Sequence, residues 1–242
     1  MALLEARSLN VRFGELQAVD DVELEVTAGE IVGLIGPNGA GKTTTFNAVS
    51  GVQACTGAVW LDGVDISSAS PHRRVRLGMS RTFQRLELFG SMTARDNILT
   101  AGEITARSRH RSHRSVNAHT DEILDLLGLT ELAQERAETL PTGRARLVEV
   151  GRALATDPKV VLLDEPASGL DEHETRQLAA VLQRVRDSGV AVLMVEHDLD
   201  LVMELCSRIY VMNLGEVIAC GSPDEVRNDP GVQGAYLGAA VV

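Results

Sequence analysis

The stretch Gly36-Pro37-Asn38-Gly39-Ala40-Gly41-Lys42-Thr43 stands between Ile31-Val32-Gly33-Leu34-Ile35 and Thr44-Thr45-Phe46-Asn47-Ala48-Val49-Ser50. The five residues ahead of it are too few for a helix and rich in β-branched side chains, so they predict a buried strand. From Lys42 the chain reads as a helix until Gly51 stops it. A glycine-rich turn between a buried strand and a helix is the context that G-x-x-x-x-G-K-[ST] requires. Its glycines let backbone N–H groups converge on phosphate oxygens, and the helix N-terminus adds partial positive charge. Lys42 is then suited to the β- and γ-phosphates, and the Thr43 hydroxyl to Mg²⁺. Lys42 and Lys159 are the only lysines, so a lysine-rich composition does not explain the match.

Working outward, Val160-Val161-Leu162-Leu163 and Gly189 to Val195 predict two more buried strands. Between them Leu178, Val181, Leu182 and Val185 have the i, i+3, i+4, i+7 spacing of a helix. Strands alternating with helices predict an α/β fold around a mostly parallel sheet covered on both faces. Ser70 as N-cap, Pro71 at the first helical position and Gly78 as terminator predict a further helix, carrying Arg73, Arg74 and Arg76 outward. Residues 86–156 hold little strand signal, and Asp121–Leu127 and Arg144–Thr156 read as helices, so this stretch is expected to be a helical insertion. Asp164 and Glu165 close the 160–163 strand at the sheet edge where ligands bind. They suit a carboxylate that holds Mg²⁺ through water and a general base that polarises the attacking water.

The 242 residues suit one large domain or one domain with an insertion. A hydrophobic content of 44% and a charged content of 24% are those of a globular chain. The net charge of −11 disfavours nucleic acid as a partner. Cys55, Cys206 and Cys220, three with no C-x-x-C spacing, suggest neither a disulfide framework nor a zinc knuckle, and fit a reducing compartment. The opening apolar run breaks at Glu5, which predicts no secretory signal, and stretches such as Gly189–Val195 fall short of the roughly 18 residues that span a bilayer.

The charge is uneven. From His72 to Arg114 ten arginines (73, 74, 76, 81, 85, 95, 107, 109, 111 and 114) face only Glu87, Asp96 and Glu103, a local net of +7. Such a run reads either as a solvated face or as a docking surface for an acidic partner or phospholipid headgroups. His110, His113 and His119 lie nearby without Cys or closely spaced carboxylates to complete a metal site.

With these motifs in order along the chain, the sequence resembles the nucleotide-binding subunits of ATP-binding-cassette (ABC) transporters over essentially its whole length. The resemblance implies a P-loop ATPase core with an antiparallel β subdomain, built from residues 1–85 and 157–242, and an inserted α-helical subdomain at 86–156 that carries the signature motif. It implies ATP and Mg²⁺ as cofactors, with Gly36 to Thr44 on the phosphates and Phe13, in Val-Arg-Phe-Gly, stacked on adenine. Gln84, in Arg-Thr-Phe-Gln, resembles the glutamine that contacts Mg²⁺ or water and couples to the membrane subunit. Ser168-Gly169-Leu170-Asp171 resembles the D-loop, and Val195-Glu196-His197-Asp198 the switch whose histidine meets the γ-phosphate.

One motif departs from the family pattern. The signature Leu-Ser-Gly-Gly-Gln aligns with Leu140-Pro141-Thr142-Gly143-Arg144, and Pro141 removes both a hydroxyl and an N–H donor. Thr142 and Gly143 are the residues left to meet the nucleotide of an opposite subunit, and Arg144 adds positive charge. This predicts unlike composite sites and pairing with a different cassette, a homodimer being the alternative. Lys42–Asn47, Arg81–Phe89 with Met92-Thr93, Leu201–Met203, Gly221–Pro230 and the closing Ala-Tyr-Leu-Gly are similar to ATP-binding subunits of bacterial branched-chain amino acid importers. That similarity implies two permease subunits, a solute-binding protein as indirect partner, and a peripheral position on the cytoplasmic face of the cell membrane. Relatives that handle urea, amides or lipopolysaccharide share the sequence style. A non-transport ABC ATPase would be expected to carry two cassettes or a long coiled coil, and this chain has neither.

Overall fold

The computed structural model describes residues 2–109 and 112–239, apart from the side chains of 108, 109 and 237–239. The strands are β1 (Ala2–Phe13), β2 (Leu16–Thr27), β3 (Ile31–Ile35), β4 (Thr56–Leu61), β5 (Val64–Asp65), β6 (Met79–Arg81), β7 (Val160–Asp164), β8 (Ala191–Val195), β9 (Arg208–Asn213) and β10 (Glu216–Gly221). The helices are α1 (Lys42–Ser50), α2 (Pro71–Leu77), α3 (Ala94–Arg109), α4 (His113–Leu126), α5 (Thr142–Leu154), α6 (Glu172–Asp187), α7 (Leu199–Leu205), α8 (Pro223–Asn228) and α9 (Pro230–Ala239).

Six strands form one sheet in the order β10-β9-β3-β8-β7-β6, parallel throughout except for the β9–β10 hairpin. β3 lies inside that sheet, and all five of its residues are buried, as an uninterrupted apolar run requires when both faces are covered. Its alternate side chains feed two cores. Ile31 and Ile35 join α5, α6 and α7 on one face, whereas Val32 and Leu34 join Phe46 of α1 and the second sheet on the other. That second sheet, β2-β1-β4-β5, is antiparallel, with β1 and β2 alternating between buried and solvent-facing residues. Arg208 of β9 ties the two sheets together by pairing with Glu30 at 2.9 Å and with Glu25 of β2 at 2.5 Å.

Residues 94–154 contribute α3, α4 and α5, and no named strand lies among the described residues between β6 and β7. Ile98, Ile123, Leu127 and Leu147 of this segment share one continuous core with Val161, Leu178 and Leu182. Helix α4 begins eight residues before the Asp121 expected from sequence, because Ser112 caps it by accepting from Ser115 N–H at 3.2 Å. Its first turn offers only Val116 to the core, so apolar periodicity gave no sign of it.

The arginine run does not behave as one surface. α2 forms over the expected residues, but Arg74 points inward, 2% exposed, and donates to the carbonyls of Ala69, Ala48, Val49 and Ser67. The expectation that it faces solvent is corrected: a guanidinium can be buried where several carbonyls meet its fork. The Arg81 side chain is largely buried as well, whereas Arg73, Arg76, Arg85, Arg107 and Arg114 remain exposed. Arg111 and His110 lie outside the described residues. His113 turns to Glu103 at 2.8 Å and His119 to Glu122 at 3.4 Å.

Candidate functional site

The loop between β3 and α1 is held from behind by β9 and β2. A Cβ on Gly36 would stand 2.1 Å from the carbonyl of Met212, and one on Gly41, at φ +103°, 2.6 Å from the carbonyl of Ala18. Backbone atoms cannot yield as a side-chain tip can, so both positions admit only glycine. Gly41 also serves as the N-cap of α1 with no side-chain hydrogen bond, which leaves the first amides of the helix for a ligand. Lys42 Nζ curls back to donate to Gly36 O at 2.7 Å and Pro37 O at 3.1 Å. Burial lowers its pKa, and the charge of Glu165 works against that shift.

A cleft of about 600 Å³ opens over this loop. Phe13, Asn38, Gly39, Ala40, Gly41, Lys42, Thr43, Thr44 and Glu165 line it, so most of the expected phosphate and base contacts come together. Leu16 and Leu214, 65% and 83% exposed, flank the half-exposed Phe13 at its rim. They were not anticipated, since isolated exposed leucines, one opening β2 and one in the β9–β10 turn, carry no motif, but they widen the apolar platform available to a base.

Glu165 directly follows β7 at φ +48°, an uncommon conformation for a residue with a side chain. Its N–H donates to Val195 O at 2.9 Å, which pins the turn to β8. Gln84 Nε2 donates to Glu165 Oε2 at 2.7 Å, and His197 Nδ1 lies 3.9 Å from the same oxygen. The three residues expected to act on water and γ-phosphate therefore converge. Glu196, beside His197, is 1% exposed and accepts from Ala167 N–H at 2.8 Å and His197 N–H at 3.1 Å; burial pushes its pKa up. Asp164 is buried at the end of β7 with Arg81 as its ion-pair partner at 2.7 Å.

The remaining expected residues gather elsewhere. Thr142 and Gly143 open α5, and Asp171 is the N-cap of α6, where its carboxylate accepts from Glu174 N–H at 2.8 Å. Glu174, which no motif pointed to, holds the two helix ends together. Its Oε1 accepts from Gly143 N–H at 3.1 Å and its Oε2 from Asp171 N–H at 3.3 Å. Arg146 of α5 was missed too: it donates to Gln84 O at 2.8 Å and pairs with Glu149 at 3.2 Å, tying the signature helix to the Gln84 loop.

No group of three or more His, Cys, Asp or Glu among the described residues could enclose a metal. The Thr43 hydroxyl lines the cleft and the Asp164 carboxylate ends β7 next to the cleft-lining Glu165, both hard oxygen donors of the kind that suits Mg²⁺.

The family model described as ABC transporter matches residues 19–168. The chain belongs to the ABC transporter family. A second model, the branched-chain amino acid ATP-binding cassette transporter, matches residues 216–242. This cassette is 40% identical to the high-affinity branched-chain amino acid transport ATP-binding protein BraF of Pseudomonas aeruginosa, over 98% of both chains. It is 39% identical to LivG of Escherichia coli, again over 98% of both, and 35% identical to the lipopolysaccharide export protein LptB of Haemophilus influenzae. The ADP conformation of MJ1267, an ATP-binding cassette of an ABC transporter, superposes with a TM-score of 0.89 at 32% identity, covering 98% of this chain and 99% of that one. The protein is thus an ATP-binding, ATP-hydrolysing transporter subunit, closely related to the ATPases of branched-chain amino acid importers. No helix among the described residues is long and apolar enough to cross a membrane.

Proposed function

We infer that this subunit powers import of branched-chain amino acids through two permease subunits, from the cytoplasmic face of the cell membrane. The observation that carries the solute class is the match of residues 216–242 to the branched-chain amino acid cassette model, with the BraF and LivG identities in support. A solute-binding protein would deliver the amino acid on the far side of the membrane.

In this reading Gly36 to Thr44 hold the phosphates, Lys42 exchanges its two loop carbonyls for phosphate oxygens, and Phe13 stacks on adenine. The Thr43 hydroxyl, Asp164 and Gln84 hold Mg²⁺, which when bound neutralises phosphate charge. Glu165 takes a proton from the attacking water, with Gln84 orienting its carboxylate and His197 meeting the γ-phosphate. Support for these roles comes from the hydrogen bond at 2.7 Å and the approach to 3.9 Å that bring both side chains to Glu165 Oε2. Thr142, Gly143 and Asp171 serve the nucleotide of a second cassette, of a different type because Pro141 weakens this signature. Residues 86–156 act as the unit that moves against the remainder of the chain when ATP binds.

The test is ATP-driven uptake of labelled leucine into membrane vesicles from cells carrying or lacking the protein. Loss of leucine uptake on deletion, restored by the wild-type chain and not by Glu165→Gln, is the expected result. Unchanged amino acid uptake together with a defect in lipid export would reassign the subunit to the class represented by LptB.

A further inference from the structure

Arg81 ends β6 three residues before Gln84, and its guanidinium bridges the end of β7 and helix α1. Nη2 donates to Asp164 Oδ2 at 2.7 Å, while Nη1 donates to Asn47 Oδ1 at 2.7 Å and Ser50 Oγ at 2.8 Å on α1. The Arg81 and Asp164 side chains are 8% and 7% exposed. The rings of Phe46 and Phe83 lie 5.6 and 5.2 Å from the guanidinium carbon and close over it. Two charges taken out of water persist only with good geometry and further hydrogen bonds, and this pair has both at its terminal nitrogens, while the buried Arg81 Nε is left without a partner. The arrangement needs a planar fork: a lysine ammonium on its flexible stem cannot meet a carboxylate and two α1 acceptors in the same geometry.

The bridge is built from the elements that carry the proposed Mg²⁺ residues. α1 begins with Lys42 and Thr43, and β7 ends with Asp164, so a link between Asn47, Ser50 and Asp164 sets one relative to the other. It also engages a single carboxylate oxygen, Oδ2. We propose that Arg81 is a positioning residue for the cation: it fixes the Asp164 carboxylate against α1 and so determines which oxygen faces the hydrated metal. The proposal rests on the reading of Asp164 as a Mg²⁺ residue. Arg81 is not among the residues that line the nucleotide cleft, and it acts through Asp164 and its tie to α1.

The experiment measures binding of a fluorescent ATPγS analogue to the purified full-length chain, first in excess EDTA and then along a Mg²⁺ titration. Arg81→Met, Arg81→Lys and Asp164→Asn are compared with wild type. Replacing a partner that orients a metal residue is expected to raise the half-saturating Mg²⁺ concentration about 10- to 100-fold in Arg81→Met. The EDTA affinity should stay within about twofold of wild type, because the amides and Lys42 that bind phosphate are untouched. Arg81→Lys, which keeps the charge and loses the fork, should fall between, and it decides the matter if Arg81→Met does not fold. A merely structural role would instead lower affinity equally with and without Mg²⁺, and that result overturns the proposal. So does an unchanged Mg²⁺ dependence in both Arg81 variants while Asp164→Asn shifts it. If Asp164→Asn itself leaves the Mg²⁺ dependence unchanged, the metal role of Asp164 falls, and the proposal falls with it.

Discussion

Two helices of this molecule point their N-termini at places where phosphate is expected, and they are finished in opposite ways. α1 starts from Gly41, which contributes no side-chain cap, and its loop is pressed so closely on Met212 and Ala18 that only glycine fits at Gly36 and Gly41. α5 starts from Pro141, also without a side-chain cap of its own, but the carboxylate of Glu174 reaches over from α6 to take the Gly143 N–H. One end is a rigid cradle of backbone donors. The other has one of its amides, Gly143 N–H, already taken by the Glu174 carboxylate. An electropositive helix end thus behaves as a fixed site or as a conditional one according to what caps it.

The largest expected contrast comes from placing the same methyl group at both ends. In Gly41→Ala the new Cβ meets a backbone carbonyl at 2.6 Å from a left-handed conformation, whereas in Gly143→Ala it meets the movable carboxyl end of Glu174 at 2.8 Å. Gly41→Ala should lose about 3 kcal/mol or more of stability, as strained backbone and overpacking together predict, and with it nucleotide binding. Gly143→Ala should stay within about 1 kcal/mol of wild type, since alanine is the better helix former. Urea unfolding of both variants measures the difference, and equal losses would erase the distinction between the two ends.

The same contrast governs what could be read in advance. β3, the loop and α1 were legible because each constraint there is local: apolar burial, tight backbone and helix start lie within twenty consecutive residues, Ile31–Ser50. The end of α5 was legible only as a departure from a motif, because Glu174 is 31 residues further on and belongs to another helix. Arg74 and Arg81 were counted in a charged run on the same grounds of local composition, while their partners lie on α1 and β7. α3 carries too little apolar periodicity to be recognised alone, and it is fixed by packing on α4 and α5. Glu165, the proposed general base, was legible by its place at a strand end, but its positive φ and its bond to Gln84 belong to the folded chain.

Next in size is Glu165→Gln, confined to the α1 side. Loss of a general base is expected to cut ATP turnover about 10²- to 10⁴-fold while ATP binding persists, since the phosphate cradle does not include this carboxylate. Phosphate release under saturating ATP measures the first and equilibrium binding the second. A smaller effect is expected at the other end from Glu174→Gln, which keeps an acceptor for Gly143 N–H and removes the competing charge. ATP-dependent association with a second cassette should strengthen by severalfold, in line with the ~0.3–1 kcal/mol of a charge at a helix terminus. Analytical ultracentrifugation with ATP reads it, and weaker association would show that Glu174 supports the α5 end instead of blocking it.

The smallest effect separates the two sides by pH. Each holds one buried carboxylate whose pKa is raised by burial: Glu196 beside His197, and Glu149 beside Arg146 on α5. A carboxyl with a higher pKa folded than unfolded binds more protons in the native state, so the penalty is absent well below 4.5, the ordinary glutamate value. Stability then falls as pH rises from that value through the raised pKa, and levels off above it. Glu196→Gln removes the charge and should flatten the decline, but it keeps one oxygen where Ala167 N–H uses Oε1 and His197 N–H uses Oε2, so one of these amides is left facing an NH2 and part of the gain at neutral pH is lost. Glu149→Gln also flattens its share of the slope, but it leaves Arg146 buried with its ion partner gone, at 3.2 Å in the wild type. The expected result is a smaller loss for Glu196→Gln than for Glu149→Gln in urea midpoints at pH 7, with both curves flatter than wild type between pH 4.5 and 7. A smaller loss for Glu149→Gln would mean that the Arg146 bonds to Gln84 and its neighbours hold that guanidinium without Glu149, and the α5 side would then be the more tolerant of the two.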